Sequence, residues 1–226
     1  MNFAGGEVLL VNKPSGWTSF DVVNKLRYAI KKRTGERLKV GHAGTLDPLA
    51  TGLLIICTGK MTKSIELFTG FDKVYTGTMY LGASTASYDC ETPEDQNYPT
   101  EHITHQLLVS SLPRFIGEIE QIPPIYSAVK VDGRAAYISA RKGEDVVLKS
   151  RKVRVDAFEI TDVKIPEISF MIKCSKGTYI RSLVHDYGKS LMSGAYMTSL
   201  CRTEVGNFKL SDALSVERTI DKILNE

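Results

Sequence analysis

Asp47, His42, Tyr75, Tyr179 and Arg181 have the type and the setting to do chemistry. Asp47 and His42 stand in GHAGTLDPLATG (residues 41–52), where Gly41, Gly44 and Gly52 allow backbone conformations that other residues avoid. Two readings of Asp47 are open. The loop presents its carboxylate for reaction, or Asp47 is an N-cap with Pro48 at the first helical position, its oxygens taken up by backbone N–H groups. CSKGTYIRSL (174–183) is a second glycine-bearing segment. Its Arg181 can grip a phosphate or carboxylate through two parallel hydrogen bonds, or pair with Asp47 if the fold brings the loops together. Tyr179 offers a flat face and a hydroxyl. Tyr75 is either strand packing or an aromatic partner for a base taken out of its stack.

The elements that must position these residues read as follows. EVLLV (7–11) is a strand that leads into the NKPSGW turn. Thr18-Ser19-Phe20-Asp21 resembles a capping box and opens a helix to about Lys32. LLIIC, directly after the glycine loop, is a short apolar run typical of a buried strand, and KSIELF is a short helix stopped by Gly70. Residues 72–82 alternate, with Val74, Thr76, Thr78 and Tyr80 on one face and Tyr75, Gly77, Met79 and Leu81 on the other. A polar loop spans 84–99, and Ile103, Leu107, Leu108 and Leu112 mark a helix. Asp132-Gly133 is a turn signal, Gly143 closes a short helix, and alternating strands cover 146–163. ISFMIKC is a strand. TYIRSLVHDYGKSL is a helix with Ile180, Leu183, Val184 and Tyr187 on one stripe. YMTSLCRTEVG is a strand, and the last dozen residues are helical. This mixture, without steady βαβ alternation, predicts an α+β fold with a mixed, largely antiparallel central sheet flanked by helices and loops.

The composition suits a soluble protein with a real core: 42% of the 226 residues are hydrophobic and 24% charged. No apolar run approaches the ~20 residues of a membrane span, and no secretion signal is present, so no membrane partner is expected. Cys57, Cys90, Cys174 and Cys201 form no C-x-x-C pair, which fits a reducing, cytoplasmic setting. His102 and His105 lack a partner at ligand spacing, so no metal site is expected. The net charge of +3 is unevenly spread. Residues 24–39 carry seven Lys/Arg against one Glu, residues 126–155 eight against three acids, and residues 85–121 seven acids against Arg114. The basic stretches are either solvated helices or a surface for a polyanion, DNA or RNA.

Taken together, LLVNKPSGWTSFDVV, VGHAGTLDPLATGLLIICTGKMTK, DKVYTGTMYLGASTASYDCET, QIPPIYSAVKVDGRAAYISARKGE, KCSKGTYIRSLVHDYG and YMTSLCRTEVGNF resemble the bacterial tRNA pseudouridine synthase B (TruB) family. The stretches stand in the family's order and cover most of residues 7–208. The resemblance implies the pseudouridine synthase fold and isomerisation of uridine-55 in the T-loop of tRNA. By motif position Asp47 matches the catalytic aspartate, Tyr75 the tyrosine that stacks on the target base, and Tyr179 and Arg181 the second active-site segment. His42 matches a loop histidine that holds the flipped RNA, Leu200 an apolar wall of the uridine pocket, and Lys13 with Pro14 a K-P motif beside the site.

The reaction so implied breaks C1′–N1, turns the uracil and rejoins C1′ to C5. Nothing is oxidised and no group is imported, so no cofactor is expected. The carboxylate of Asp47 has three places to act: C1′, the uracil ring, or a ribose proton. The target base lies in the tRNA elbow and must be flipped out. The resemblance makes the region around 124–152 an RNA-clamping insertion in a single catalytic domain spanning 1–226, with Asp132-Gly133 and Gly143 as hinges. Relatives often carry a C-terminal PUA domain. The tail DALSVERTIDKILNE is too short for one, so the expected partner is the T-arm stem-loop of tRNA, bound by a monomer.

Overall fold

LLIIC has no alternation because its strand is covered on both faces, as central strands are. The computed structural model describes residues 1–131 and 133–225. In chain order its elements begin with β1 (Val8–Lys13), α1 (Ser19–Thr34), β2 (Val40–Ala43), β3 (Thr51–Thr58), α2 (Ile65–Gly70) and β4 (Lys73–Leu81). Next come β5 (Ala83–Thr85), β6 (Glu94–Asn97), α3 (His105–Ser111), β7 (Gly117–Gln121), β8 (Lys130–Val131), β9 (Arg134–Ala135) and α4 (Ala136–Ala140). The chain ends with β10 (Arg151–Lys164), β11 (Glu167–Cys174), α5 (Ile180–Ser190), β12 (Ala195–Val205), β13 (Phe208–Lys209), β14 (Leu214–Ser215) and α6 (Val216–Asn225). The fold is α+β, and its strand pairing is mostly antiparallel. Two compact units divide it: residues 1–75 with 200–226, and residues 76–199.

In the first unit the strands run β14-β1-β3-β12-β4, with β2 on β3 and β13 on β12. The β1–β14 and β3–β12 pairs are parallel, and β1–β3 and β2–β3 antiparallel. One face of β3, Leu54 and Ile56, joins Leu9 and Val11 against α1 and against Val216 and Ile223 of α6. Its other face, Leu53, Ile55 and Cys57, packs with Ala43 and Val205 under Met61, Ile65 and Phe68. The capping box of α1 forms as expected: Thr18 Oγ1 accepts from the Asp21 N–H at 3.0 Å, and Asp21 Oδ2 accepts from the Thr18 N–H at 2.8 Å. Gly35 ends the helix in the left-handed conformation, φ +76°.

In the second unit the order is β12-β4-β11-β10-β7, with two small antiparallel pairs, β5–β6 and β8–β9. The expected stripe of α5 is buried at Ile180, Leu183, Val184 and Tyr187. Tyr187 satisfies its hydroxyl by donating to the Leu108 carbonyl at 2.8 Å. Two expectations need correction. The segment 84–99 is not all loop, because β5 and β6 pair within it. β6 is exposed throughout, so no apolar alternation announces it. Residues 146–150 form no strand, Val147 is exposed, and β10 begins at Arg151. The expected turn at Asp132-Gly133 falls partly outside the described residues, at Asp132, while Gly133 has φ +81°.

His185 stacks on Tyr88 with ring centroids 3.7 Å apart. Burial first, then the charge of Lys189, pushes the imidazole down to about 4 from the usual 6.5, against an opposing pull from Asp95. Between pH 6.5 and 4 the unfolded chain binds a proton that the folded chain refuses. The stability held in full above 6.5 is therefore lost progressively as pH falls toward 4. Denaturant titrations across that window are expected to show this decline, and His185→Gln to flatten it.

Candidate active site

Asp47 is not a helix cap. No helix follows it, and its own carbonyl accepts from the Ala50 N–H at 3.1 Å, which closes a turn with Pro48 in the position where its fixed φ is favoured. The loop is held by its backbone from several sides. Ser19, buried at the start of α1, donates through Oγ to the Leu46 carbonyl at 3.2 Å and accepts from the Leu46 N–H at 2.9 Å. The Pro48 carbonyl accepts from the Gly16 N–H at 2.8 Å and from the Lys13 ammonium at 3.2 Å. Arg202, 1% exposed, donates to the carbonyls of Gly44 at 3.1 Å and Leu53 at 2.8 Å. The loop is thus fixed largely through main-chain atoms, and the Asp47 side chain is half-buried.

Lys13 is fully buried and also serves the carbonyls of Pro14 and Trp17. Burial lowers its ammonium to about 8. The charge of Asp47 works the other way, Arg202 adds to the lowering, and Asp21 opposes it. His42 lies on β2, opposite Ile56. Its imidazole is lowered by burial and by Arg202, against a raising hydrogen bond with the Gly44 backbone. Its Nδ1 is buried and has no hydrogen-bond partner among the described residues. Tyr75 on β4 and Leu200 on β12 are each 8% exposed. The first unit thus holds Lys13, His42, Asp47, Tyr75 and Leu200.

Gly52 is where the loop meets β12. Its φ is +103°, and a Cβ there would lie 2.4 Å from the Arg202 carbonyl oxygen and 2.7 Å from its nitrogen. Strain and backbone overlap add. Gly52→Ala is expected to destabilise by about 3 kcal/mol in denaturant titrations. Gly16→Ala, at φ +79° with nothing within 4 Å, carries the conformational strain alone, about 1 kcal/mol.

The second unit holds Tyr179 and Arg181. Tyr179 is the N-cap of α5 and Arg181 lies inside the helix, as the helical reading of TYIRSLVHDYGKSL expects. Gln121 clamps the Tyr179 backbone, accepting from its N–H at 2.7 Å and donating to its carbonyl at 3.0 Å. The Arg151 guanidinium sits 4.4 Å from the Tyr179 ring centroid. Arg181 is 3% exposed and donates to the carbonyls of Ser87 at 3.1 Å and Tyr126 at 3.0 Å. Its Nε is 3.5 Å from Asp89 Oδ2 in a buried ion pair.

The model of the TruB family of pseudouridylate synthases, N-terminal domain, matches residues 31–180. The chain belongs to the TruB family. The matched stretch takes in His42, Asp47, Tyr75 and Tyr179, and Arg181 follows it directly. Among TruB relatives, a tRNA pseudouridine synthase B of Phocaeicola vulgatus is 54% identical over 235 residues, with all of both chains covered. Another, of Flavobacterium johnsoniae, is 52% identical over 213 residues, 93% of each chain. Among solved structures, a chain of a Cbf5-Nop10-Gar1 complex superposes with a TM-score of 0.74 at 28% identity, over 98% of this chain and 55% of that one. A chain of an H/ACA RNP bound to a substrate RNA containing 2′-deoxyuridine gives 0.71 at 25% identity, over 98% and 54%. The TruB chain described here spans about half the length of those solved chains.

Reading the motifs singles out neither Asp89, Ser19, Gln121 nor Arg202. A signal for Arg202 exists: in the strand run YMTSLCRTEVG it falls two residues from Leu200, on the inward face, where a charge is costly without partners.

Proposed function

We propose that this chain isomerises a uridine of tRNA, uridine-55 in the T-loop, to pseudouridine, with Asp47 as the catalytic carboxylate. The observation that carries this reading is the glycine loop itself. Its backbone is pinned by Lys13, Ser19 and Arg202, and no helix follows that would take up the Asp47 side chain as a cap. TruB membership and the names of the full-length relatives supply the reaction class and the tRNA substrate.

When C1′–N1 breaks, C1′ is electron-deficient, and a carboxylate is the group retaining glycosidases set beside such a carbon. Those enzymes add a second carboxyl group and admit water. Isomerisation needs the detached uracil kept in place, turned, and rejoined through C5, with the C5 proton released. Asp47 supplies the negative charge, Tyr75 a face for the flipped base, and Leu200 an apolar wall. His42 and Tyr179 contact the flipped RNA. Arg181 is the cationic member of the site, and Lys13 holds the turn that carries Asp47. The reaction imports no group and needs no cofactor. The chain acts as a monomer in the cytoplasm, and the basic region around 124–152 grips the T-arm, with Gly133 and Gly143, φ +81° and +71°, as its hinges.

The test is release of tritium from a tRNA transcript labelled at uridine C5. Isomerisation sends that hydrogen to water and leaves RNA mass otherwise unchanged. Free uracil would identify an N-glycosylase instead. RNA binding without tritium release would identify a silent RNA-binding module.

Salt dependence reports on the grip. Arg151 stacks on Tyr179 and Arg154 pairs with Asp156, so the exposed Lys142, Lys149 and Lys152 are the better probes of phosphate contact. Each phosphate neutralised adds about 0.7–0.9 to the slope of log K against log salt. Changing all three to Ala is expected to flatten the slope for tRNA by about 2, measured by filter binding, with little change in the single-turnover rate at saturating RNA. An unchanged slope would show that these lysines face away from the RNA.

A further inference from the structure

The solvent side of α1 has no role in holding the glycine loop, yet it carries an unusual set of residues. Phe20 is 57% exposed and Tyr28 72%. Trp17, half-buried just before the helix, has the Lys25 ammonium 6.0 Å from its ring centroid, and Phe20 has the Arg27 guanidinium at 5.8 Å. Two hollows flank this helix. One, of about 610 Å³, is lined by Gly16, Trp17, Asp21, Asn24, Lys25 and Tyr28. The other, of about 480 Å³, has Arg27, Arg37 and Lys39 in its lining, with Thr62 and the Gly41 backbone. Asn24 of the first accepts from Arg27 of the second at 3.1 Å, so the two hollows adjoin.

We infer that this face is a second RNA-contacting surface, on which an unpaired nucleotide of the bound RNA stacks its base in the Trp17–Tyr28 hollow and sets a neighbouring phosphate against Arg27, Arg37 and Lys39. The inference rests on the reading of RNA as substrate. Three observations carry it. Aromatic faces alternate with cations, the pairing that holds single-stranded nucleic acid: a flat face suits any base, and the cations follow the backbone. Charge complementarity selects a polyanion, since residues 24–39 carry seven Lys/Arg against Glu36. The acid in the first hollow, Asp21, has its Oδ2 engaged by the Thr18 N–H and hydroxyl at 2.8 and 2.7 Å. Position is the third. Ser19 at the head of α1 bonds the loop next to Asp47, and Tyr28 lies nine residues, or ~14 Å, further along. RNA engaged at the loop can therefore continue along the helix. Lys25 and Arg27 give up their own aromatic neighbours for base and phosphate, exchanging one cation contact for another.

Trp17 is the only tryptophan in the chain, so its fluorescence reports on the hollow directly. Titration with a full-length tRNA transcript is expected to quench it saturably, and hexa-adenylate RNA to do so more weakly and with steep salt dependence. Tyr28→Ala, and separately Arg37→Ala with Lys39→Ala, should each weaken tRNA binding about 5- to 100-fold, the scale of one aromatic contact. The single-turnover rate at saturating RNA should stay at the wild-type value. The inference is overturned if tRNA binds at full affinity without changing Trp17 emission, or if the quench and affinity survive unchanged in the variants. An acidic protein surface as the true occupant would leave Trp17 emission unaffected by tRNA and by hexa-adenylate alike, which also overturns the inference. Tritium release measured in the same samples separates the readings: release without quench ends the surface and leaves the activity standing, and quench without release does the reverse.

Discussion

Asp47→Asn is expected to keep the fold and tRNA affinity and to lose at least ~10³-fold in single-turnover pseudouridine formation, the scale seen when a central electrostatic group is removed. Asn preserves the shape of the side chain and the turn closed by the Asp47 carbonyl and Ala50 N–H. It cannot carry the negative charge. The structure makes this a clean experiment, because Lys13, Ser19 and Arg202 hold the loop through carbonyl and N–H groups that the substitution leaves alone. Melting temperature and filter binding should match the wild type while turnover collapses. Near-native turnover by the variant would remove Asp47 from the mechanism, and unfolding would return it to a structural role.

The second large effect is on stability as well as rate. Arg181→Met should destabilise the second unit by about 3–5 kcal/mol, the cost of leaving one member of a buried ion pair alone. Both side chains are 3% exposed, and the guanidinium also serves the carbonyls of Ser87 and Tyr126. For a chain of this size, the loss corresponds to a melting temperature lower by roughly 10 °C. Asp89→Asn in the Arg181→Met background should recover part of the loss, giving a double-mutant cycle with a coupling of about 1 kcal/mol or more. Strict additivity would show that the pair is not energetically linked. Activity is expected to stay lost in the double variant, since neutralising Asp89 restores no cation to the site.

The elements of the fold and the residues of the site were unequally legible in the sequence. α1 was readable because Thr18 and Asp21 announce its start, and α5 because its apolar stripe has helical spacing. β2 was not. Its VGHA run has no alternation, and it forms because β3 offers an edge, a tertiary cause. The same holds for β5 and β6, and Val147 shows the converse, an apolar residue in a run that looked like a strand and is left in water. In the site, Asp47 stood out because glycines and a proline surround it, yet the local motif suggested a helix start that does not exist. Asp89 looked like any acid in an acidic stretch. Only the fold, which buries it beside Arg181, gives it a task.

The most direct measurement is a map of pseudouridine in a tRNA transcript treated with the purified chain, read by carbodiimide derivatisation and primer extension. The account predicts one new stop, at the T-loop uridine in position 55, absent when Asp47→Asn replaces the wild type. A transcript without pseudouridine, one with an abasic site at that position, or one modified only elsewhere would contradict it.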